Sequence, residues 1–214
     1  MTERPTRRGR TVAWLAARSL RQLVLAAAAV IVLVSGAFGG LRQAEPDARD
    51  ALVLDEPQVA QPFTITVKGV SWADDLGEVI GPSDFGRYLL VIADVSSTQE
   101  NSVDGFVVHE ALRLKGLEEL AGSENDDRPV ASEDADPRVI VTEDRVKLSE
   151  LGPGLTYEVA FIWEQKLSEP LPRTVDLVAR VHGFRQSSLD EQENWFDSAD
   201  GATGRFRVTK FGES

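Results

Sequence analysis

The chain has 214 residues, with 23 basic and 35 acidic side chains and a formal net charge of −12. It has no cysteine, which excludes disulfide bonds, thiolate zinc sites, thiol catalysis and a lipid anchor on cysteine. Residues 42–214 alone carry 17 basic and 34 acidic side chains, a charge of −17, so nucleic acid and an anionic membrane surface are poor partners for this part. Such acidity favours either a cationic partner or a surface charge that keeps the domain soluble.

An uncharged stretch near the N-terminus indicates a membrane segment. Residues 23–41 are nineteen residues without a charge. As a helix they would be about 28 Å long, close to the roughly 30 Å hydrocarbon core of a bilayer. The residues before this stretch include six arginines and one glutamate, which predicts a cytoplasmic N-terminus. We therefore expect a basic cytoplasmic segment (1–22), one transmembrane helix (23–41) and an extracytoplasmic remainder.

The same stretch also fits the hydrophobic region of a signal peptide. Its strongly aliphatic part is 23–34, and Ser35, Gly36 and Ala37 are small residues of the kind that a signal peptidase requires. Cleavage near Ala37 would produce a secreted domain. The long basic segment and the apolar residues after Ala37 favour a retained anchor. Both alternatives place residues 42–214 outside the cell membrane.

The remainder of the chain is typical of an all-β domain. Acidic residues and prolines at 42–60 predict a linker, and the folded domain is expected at 61–214. Apolar residues at every second position predict strands, a shift of phase at Gly69 predicts a bulge, and the run 87–95, apolar on both faces, predicts a central strand. The alternating segments are 63–67, 106–115, 157–163, 175–182 and 205–211.

Seven or eight short strands separated by turns predict an antiparallel β-sandwich. In the strand at 175–182 the alternation directs His182 outward. Three tryptophans are expected in the core or at its rim, with a ligand platform as the alternative: Trp72, Trp163 and Trp195. The segment 118–136 has eight acids and one arginine, which predicts a long loop. Four of its carboxylates are candidates for calcium ligands, with a solvated charged loop as the alternative: Asp126, Asp127, Asp134 and Asp136.

Four segments carry a family resemblance: FTITVKGVSW, RYLLVIADVSSTQENSV, LSELGPGLTYEVAFIWEQ and VDLVARV. Over about residues 61–183 the chain resembles an immunoglobulin-like domain of unknown function. That domain occurs in many exported actinobacterial and firmicute proteins, including the secreted mycobacterial immunoprotective antigens. Residues 88–98 and 151–163 match the two most typical blocks, whereas Ser96 and Ser97 and the acidic insertion depart from the pattern. The resemblance implies an anchored or secreted β-sandwich and brings no catalytic residues.

Motifs of enzymatic chemistry are incomplete in this sequence. His109 and Glu110 begin a zinc-protease pattern, but Arg113 occupies the second histidine position and the segment is predicted as a strand. A hydrolase using His109 or His182 is therefore the lesser alternative. We expect no enzyme, no cofactor and no metal requirement. The sequence predicts a protein-interaction or accessory module of the cell envelope, with a secreted, calcium-stabilised domain as the alternative.

Overall fold

The computed structural model describes residues 51–77, 80–83, 85–123, 126–186 and 193–212. The predicted basic segment and membrane stretch lie outside these ranges. Within them no helix has the length and apolarity needed to cross a membrane. The described residues form a nearly all-β, sandwich-like domain, which confirms the all-β part of the predicted fold class.

The elements follow one another as short and long strands with a single short helix among the described residues. Their bounds are β1 (Gln58–Ala60), β2 (Phe63–Ala73), β3 (Gly86–Ser97), β4 (Val103–Asp104), α1 (Gly105–His109), β5 (Leu112–Lys115), β6 (Leu120–Ser123), β7 (Asp126–Val130), β8 (Arg138–Val141), β9 (Glu150–Leu151), β10 (Thr156–Lys166), β11 (Thr174–Gln186) and β12 (Glu193–Lys210).

Two layers of strands pack face to face. One layer is β5, β11 and β12, and the other has the order β2, β3, β10, β6, β7, with β1 beside β2 and β8 beside β10. β12 belongs to both layers, because residues 193–207 pair with β11 whereas 208–210 run parallel to β2. β12 and β2 are thus a parallel pair, whereas the other pairs of these strands are antiparallel, as predicted.

The core lies between the layers and follows the predicted alternation. Phe63, Ile65 and Val67 of β2 are fully buried, as are Phe161 of β10 and Leu177 of β11. β3 lies between β2 and β10, which confirms that the doubly apolar run is a central strand. The β2–β3 register shifts between Val67 and Gly69, so the predicted bulge is also confirmed.

The folded domain begins before the predicted boundary at Gln61. Ala51 forms a bridge with Thr203, the backbone N–H of Leu52 donates to the carbonyl of Thr203 at 2.9 Å, and β1 pairs with β2. Leu52 is 3% exposed. Residues 51–60, predicted as the end of the linker, are therefore part of the sandwich, because their backbone pairs with its strands and Leu52 and Ala60 are buried in its core.

Within the acidic segment 118–136, predicted as a loop, the described residues include two paired strands, β6 and β7. β6 pairs with β7, and β6 also pairs with β10 through Leu120 and Gln165. Leu120 and Ala135 are completely buried. These apolar residues stabilise the segment against the core while its exposed acids remain in solvent.

Candidate functional site

A cavity of about 480 Å³ opens beside α1. It is called the α1 pocket here. Four separate parts of the chain meet there: β4 with α1, the end of β6, the turn before β8 and the turn before β9. Its lining residues are Asp104, Phe106, His109, Glu110, Ser123, Asp136, Pro137, Lys147, Leu148 and Ser149.

The local sequence explains why α1 forms and where it lies. The side chain of Asp104 accepts a hydrogen bond from the backbone N–H of Phe106 at 2.8 Å, which caps the first turn. A side chain at Gly105 would clash with the carbonyl of Leu148, so glycine permits this close approach. Part of the predicted strand at 106–115 is therefore helical, because the cap and the glycine outweigh its apolar residues.

Phe106 and Glu110 form the rim of the pocket on the α1 side. Glu110 is the C-cap of α1, four residues after Phe106, and this spacing brings two helical side chains to one face. Phe106 is 70% exposed, which is unusual for a phenylalanine. An aromatic ring and a carboxylate therefore lie together at the mouth of the cavity.

The opposite wall contains a carboxylate that is already paired. Asp136 accepts a hydrogen bond from Nη1 of Arg113 at 2.7 Å, and the same nitrogen donates to the carbonyl of Ala135 at 2.7 Å. The indole Nε1 of Trp163 donates to that carbonyl at 3.4 Å. Arg113 thus neutralises Asp136 and ties the turn before β8 to the core.

His182 lies behind Glu110 and is buried, contrary to the outward direction predicted from the alternation. Its side chain is only 1% exposed, and the β11–β12 register shifts beside it, between Val181 and Gly183. The ring packs edge-on against Phe63, with 6.2 Å between centroids. His182 therefore belongs to the interior of the sandwich, although its position in the alternation predicts the outer face.

The imidazole of His182 faces the Glu110 carboxylate across a short gap. Nε2 lies 3.6 Å from Oε2 of Glu110, which is beyond hydrogen-bond distance. Neither ring nitrogen has a hydrogen-bond partner among the described residues. Burial lowers the pKa of His182, and the nearby negative charge of Glu110 opposes this effect only in part. His182 is therefore neutral in the folded domain near neutral pH.

Two of the four calcium candidates have side chains that the structure describes, Asp134 and Asp136. Asp134 is exposed and Asp136 is paired with Arg113, whereas the side chains of Asp126 and Asp127 lie outside the description. In the part of the chain that the structure describes, no three His, Cys, Asp or Glu side chains are arranged to hold a metal ion. Calcium binding by the acidic segment stays a prediction.

Two further surfaces are apolar. A groove of about 460 Å³ lies on the outer face of β3, β8 and β10, with Leu90, Ile140 and Ile162 among its lining. Beyond residue 180, β11 and β12 continue as a two-stranded ribbon, where Phe184 and Trp195 face each other with 5.0 Å between centroids.

The tryptophans largely occupy the structural positions that the sequence predicts. Trp163 is buried and stacks with Phe161 at 6.3 Å. Trp72 and Trp195 are partly buried against the core, and Lys210 lies over the Trp72 ring at 5.6 Å.

Comparison with known proteins provides no family. No protein-family model and no curated protein matches this chain. Among solved structures, the chain is similar to an uncharacterised β-sandwich protein from Clostridium difficile 630. The two share 16% sequence identity and a TM-score of 0.42, over 77% of this chain and 97% of the other.

Sequence reasoning identified Asp136 and both histidines but not the pocket. The signals were present in the capping residue Asp104, in Gly105 and in the four-residue spacing of Phe106 and Glu110. They were outweighed by the apolar alternation around them.

Proposed function

We propose that this chain is a membrane-anchored, extracytoplasmic module of the cell envelope that binds another protein through the α1 pocket and has no catalytic role. The sandwich would be immunoglobulin-like. The observation that carries the proposal is an exposed aromatic ring beside a carboxylate at the mouth of a cavity, on a domain whose net charge is strongly negative. Exposed aromatic side chains are typical anchors of protein interfaces.

The three carboxylates of the α1 pocket have different roles. Asp104 caps α1, and Asp136 is neutralised by Arg113, so both carboxylates stabilise the walls. Glu110 has its side chain 32% exposed and remains directed at the cavity. A partly desolvated carboxylate makes stronger polar contacts than one in bulk water.

The topology can be tested because the natural chain has no cysteine. Single-cysteine variants Thr6→Cys and Glu143→Cys would be produced in full-length chains in a bacterial membrane and treated with a membrane-impermeant maleimide. We expect intact cells to be labelled at 143, which is an exposed position, and position 6 to be labelled only after lysis. Labelling of position 6 in intact cells would contradict the proposed orientation. A released domain whose mass begins near Phe38 would support the secreted alternative.

The binding role can be tested at single positions. A photo-crosslinking phenylalanine analogue would be placed at position 106 and, as a matched exposed control, at position 184. We expect a discrete cross-linked partner from position 106 that disappears in the Glu110→Gln background. Equal products from both positions, or none from position 106, would contradict binding at the α1 pocket.

A further inference from the structure

We infer that the α1 pocket receives a lysine or arginine side chain of a basic partner protein, with Glu110 as the counter-ion and Phe106 against the aliphatic part of that side chain. The inference deepens the proposed function and rests on it for the statement that the ligand is part of a protein. The chemistry of the pocket itself is independent of the membrane anchor.

The first argument is the pairing of an apolar surface with one carboxylate. Lysine and arginine have long aliphatic stems and a charged end, so they need both kinds of contact. Phe106 and Glu110 are four residues apart on α1 and both line the cavity. A cation near the face or edge of an exposed ring also gains a cation–π contribution.

The second argument is size and depth. The volume of about 480 Å³ lies within the roughly 300–1,000 Å³ of typical ligand sites, so the cavity has room for one long side chain. Leu148 and Pro137 contribute further apolar wall, and Ser123 and Ser149 contribute hydroxyls that accept hydrogen bonds from ammonium or guanidinium.

The third argument is charge. The pocket contains three carboxylates, of which Asp136 is neutralised by Arg113, and Lys147 provides an opposing charge. Asp104 and Glu110 thus leave the lining slightly negative. Residues 42–214 as a whole carry a charge of −17. A field of this sign attracts basic partners and repels acidic ones before contact.

The fourth argument is the buried His182 behind Glu110. Its nitrogens have no hydrogen-bond partner among the described residues, and Nε2 is 3.6 Å from Oε2 of Glu110. While the imidazole is neutral, the Glu110 charge is available to a ligand. Protonation of His182 would pair the two groups, although the positive charge of Arg180 opposes protonation. Binding of a cation should therefore weaken in acid.

The test uses the full-length chain in a neutral detergent and two blocked peptides of sequence Gly-Ser-Lys-Ser-Gly, one unmodified and one acetylated on the lysine Nζ. Dissociation constants would be measured by NMR titration at low ionic strength. We expect the acetylated peptide to bind about tenfold more weakly, because acetylation removes the charge.

Matched variants locate the site. We expect Glu110→Gln and Phe106→Ala each to weaken binding of the unmodified peptide about five- to tenfold, which corresponds to loss of one charge pair or one aromatic contact. The controls Glu143→Gln and Phe184→Ala remove an exposed acid and an exposed ring elsewhere and should change the constant less than about twofold. Thermal melts of the variants would confirm that each is folded.

Three outcomes overturn the inference. Equal losses in Glu143→Gln and Glu110→Gln would show unspecific attraction to an acidic domain. Equal affinity for both peptides would show a purely apolar pocket, and absence of binding would exclude the ligand class. An affinity that does not fall as the His182 ring takes up its proton, followed by the NMR resonances of that ring while the pH is lowered, would exclude the role of His182. Labelling of position 6 in intact cells would instead contradict the proposed function, and the measured dissociation constants would remain valid.

Discussion

Replacing Gly204 by alanine tests whether residues 51–60 are an integral part of the domain. Gly204 lies in β12 directly beneath the segment that contains Leu52. A methyl group there would clash with the backbone carbonyl of Leu52 and would lie 2.8 Å from Cε2 of Phe206. A backbone carbonyl has no rotamer by which to move aside, so the segment must retreat from β12.

The expected cost follows from the contacts that the retreat breaks. The hydrogen bond from Leu52 N–H to the Thr203 carbonyl, 2.9 Å long, contributes about 1 kcal/mol. Burial of the Leu52 side chain, which is 3% exposed, contributes about 2 kcal/mol. The free energy of unfolding should therefore fall by about 3 kcal/mol. For a chain of this size, such a change lowers the melting temperature by about 6–12 °C.

The assay is calorimetric or circular-dichroism melting of the full-length chain. Gly69→Ala is the matched control, because a methyl group at Gly69 would have no heavy atom within 4 Å. Leu52→Ala and the double variant complete a thermodynamic cycle, in which the two changes should be less than additive because they remove the same contacts. If Gly204→Ala and Gly69→Ala have the same melting temperature, residues 51–60 contribute nothing to stability and the boundary at Gln61 is right.

Three further outcomes are expected. The pKa of His182 is lowered by burial, so between about pH 6.5 and that lowered pKa the unfolded chain binds a proton that the folded domain does not. The free energy of unfolding, measured with urea, should therefore decrease as the pH falls through this window. An increase would contradict the burial of a neutral imidazole. Arg113→Ala should lower the free energy of unfolding by about 1–3 kcal/mol in the same assay, because it removes the hydrogen bonds to Asp136 and to the Ala135 carbonyl. An unchanged free energy would show that packing alone holds the turn before β8. Millimolar calcium should leave the melting temperature unchanged relative to chelator, since Asp136 is occupied by Arg113, and a rise of several degrees would support the calcium prediction.

The strands with strict alternation were predictable from the sequence because their side chains repeat every two residues. This holds for Phe63 to Val67 in β2 and for the aromatic face of β10, and the phase shift at Gly69 revealed the bulge. These features depend only on neighbours in the chain.

The remaining features depend on contacts between distant residues. The position of the described part of the acidic segment depends on Leu120, which packs in the core, and on Arg113, which comes from another strand. The burial of His182 involves contacts with Phe63 of β2 and with Glu110 beside α1. The α1 pocket unites residues between 104 and 149, and no local period predicts such a meeting.

The membership of β12 in both layers has a consequence for cooperativity. Residues 193–207 pair with β11, and 208–210 pair with β2, so the two layers share one continuous strand. We therefore expect the two layers to open together, because loss of one layer would disturb the strand that it shares with the other. In native-state hydrogen exchange, the slowest amides of β3 and of β11 should therefore exchange through the same global opening, with one common free energy.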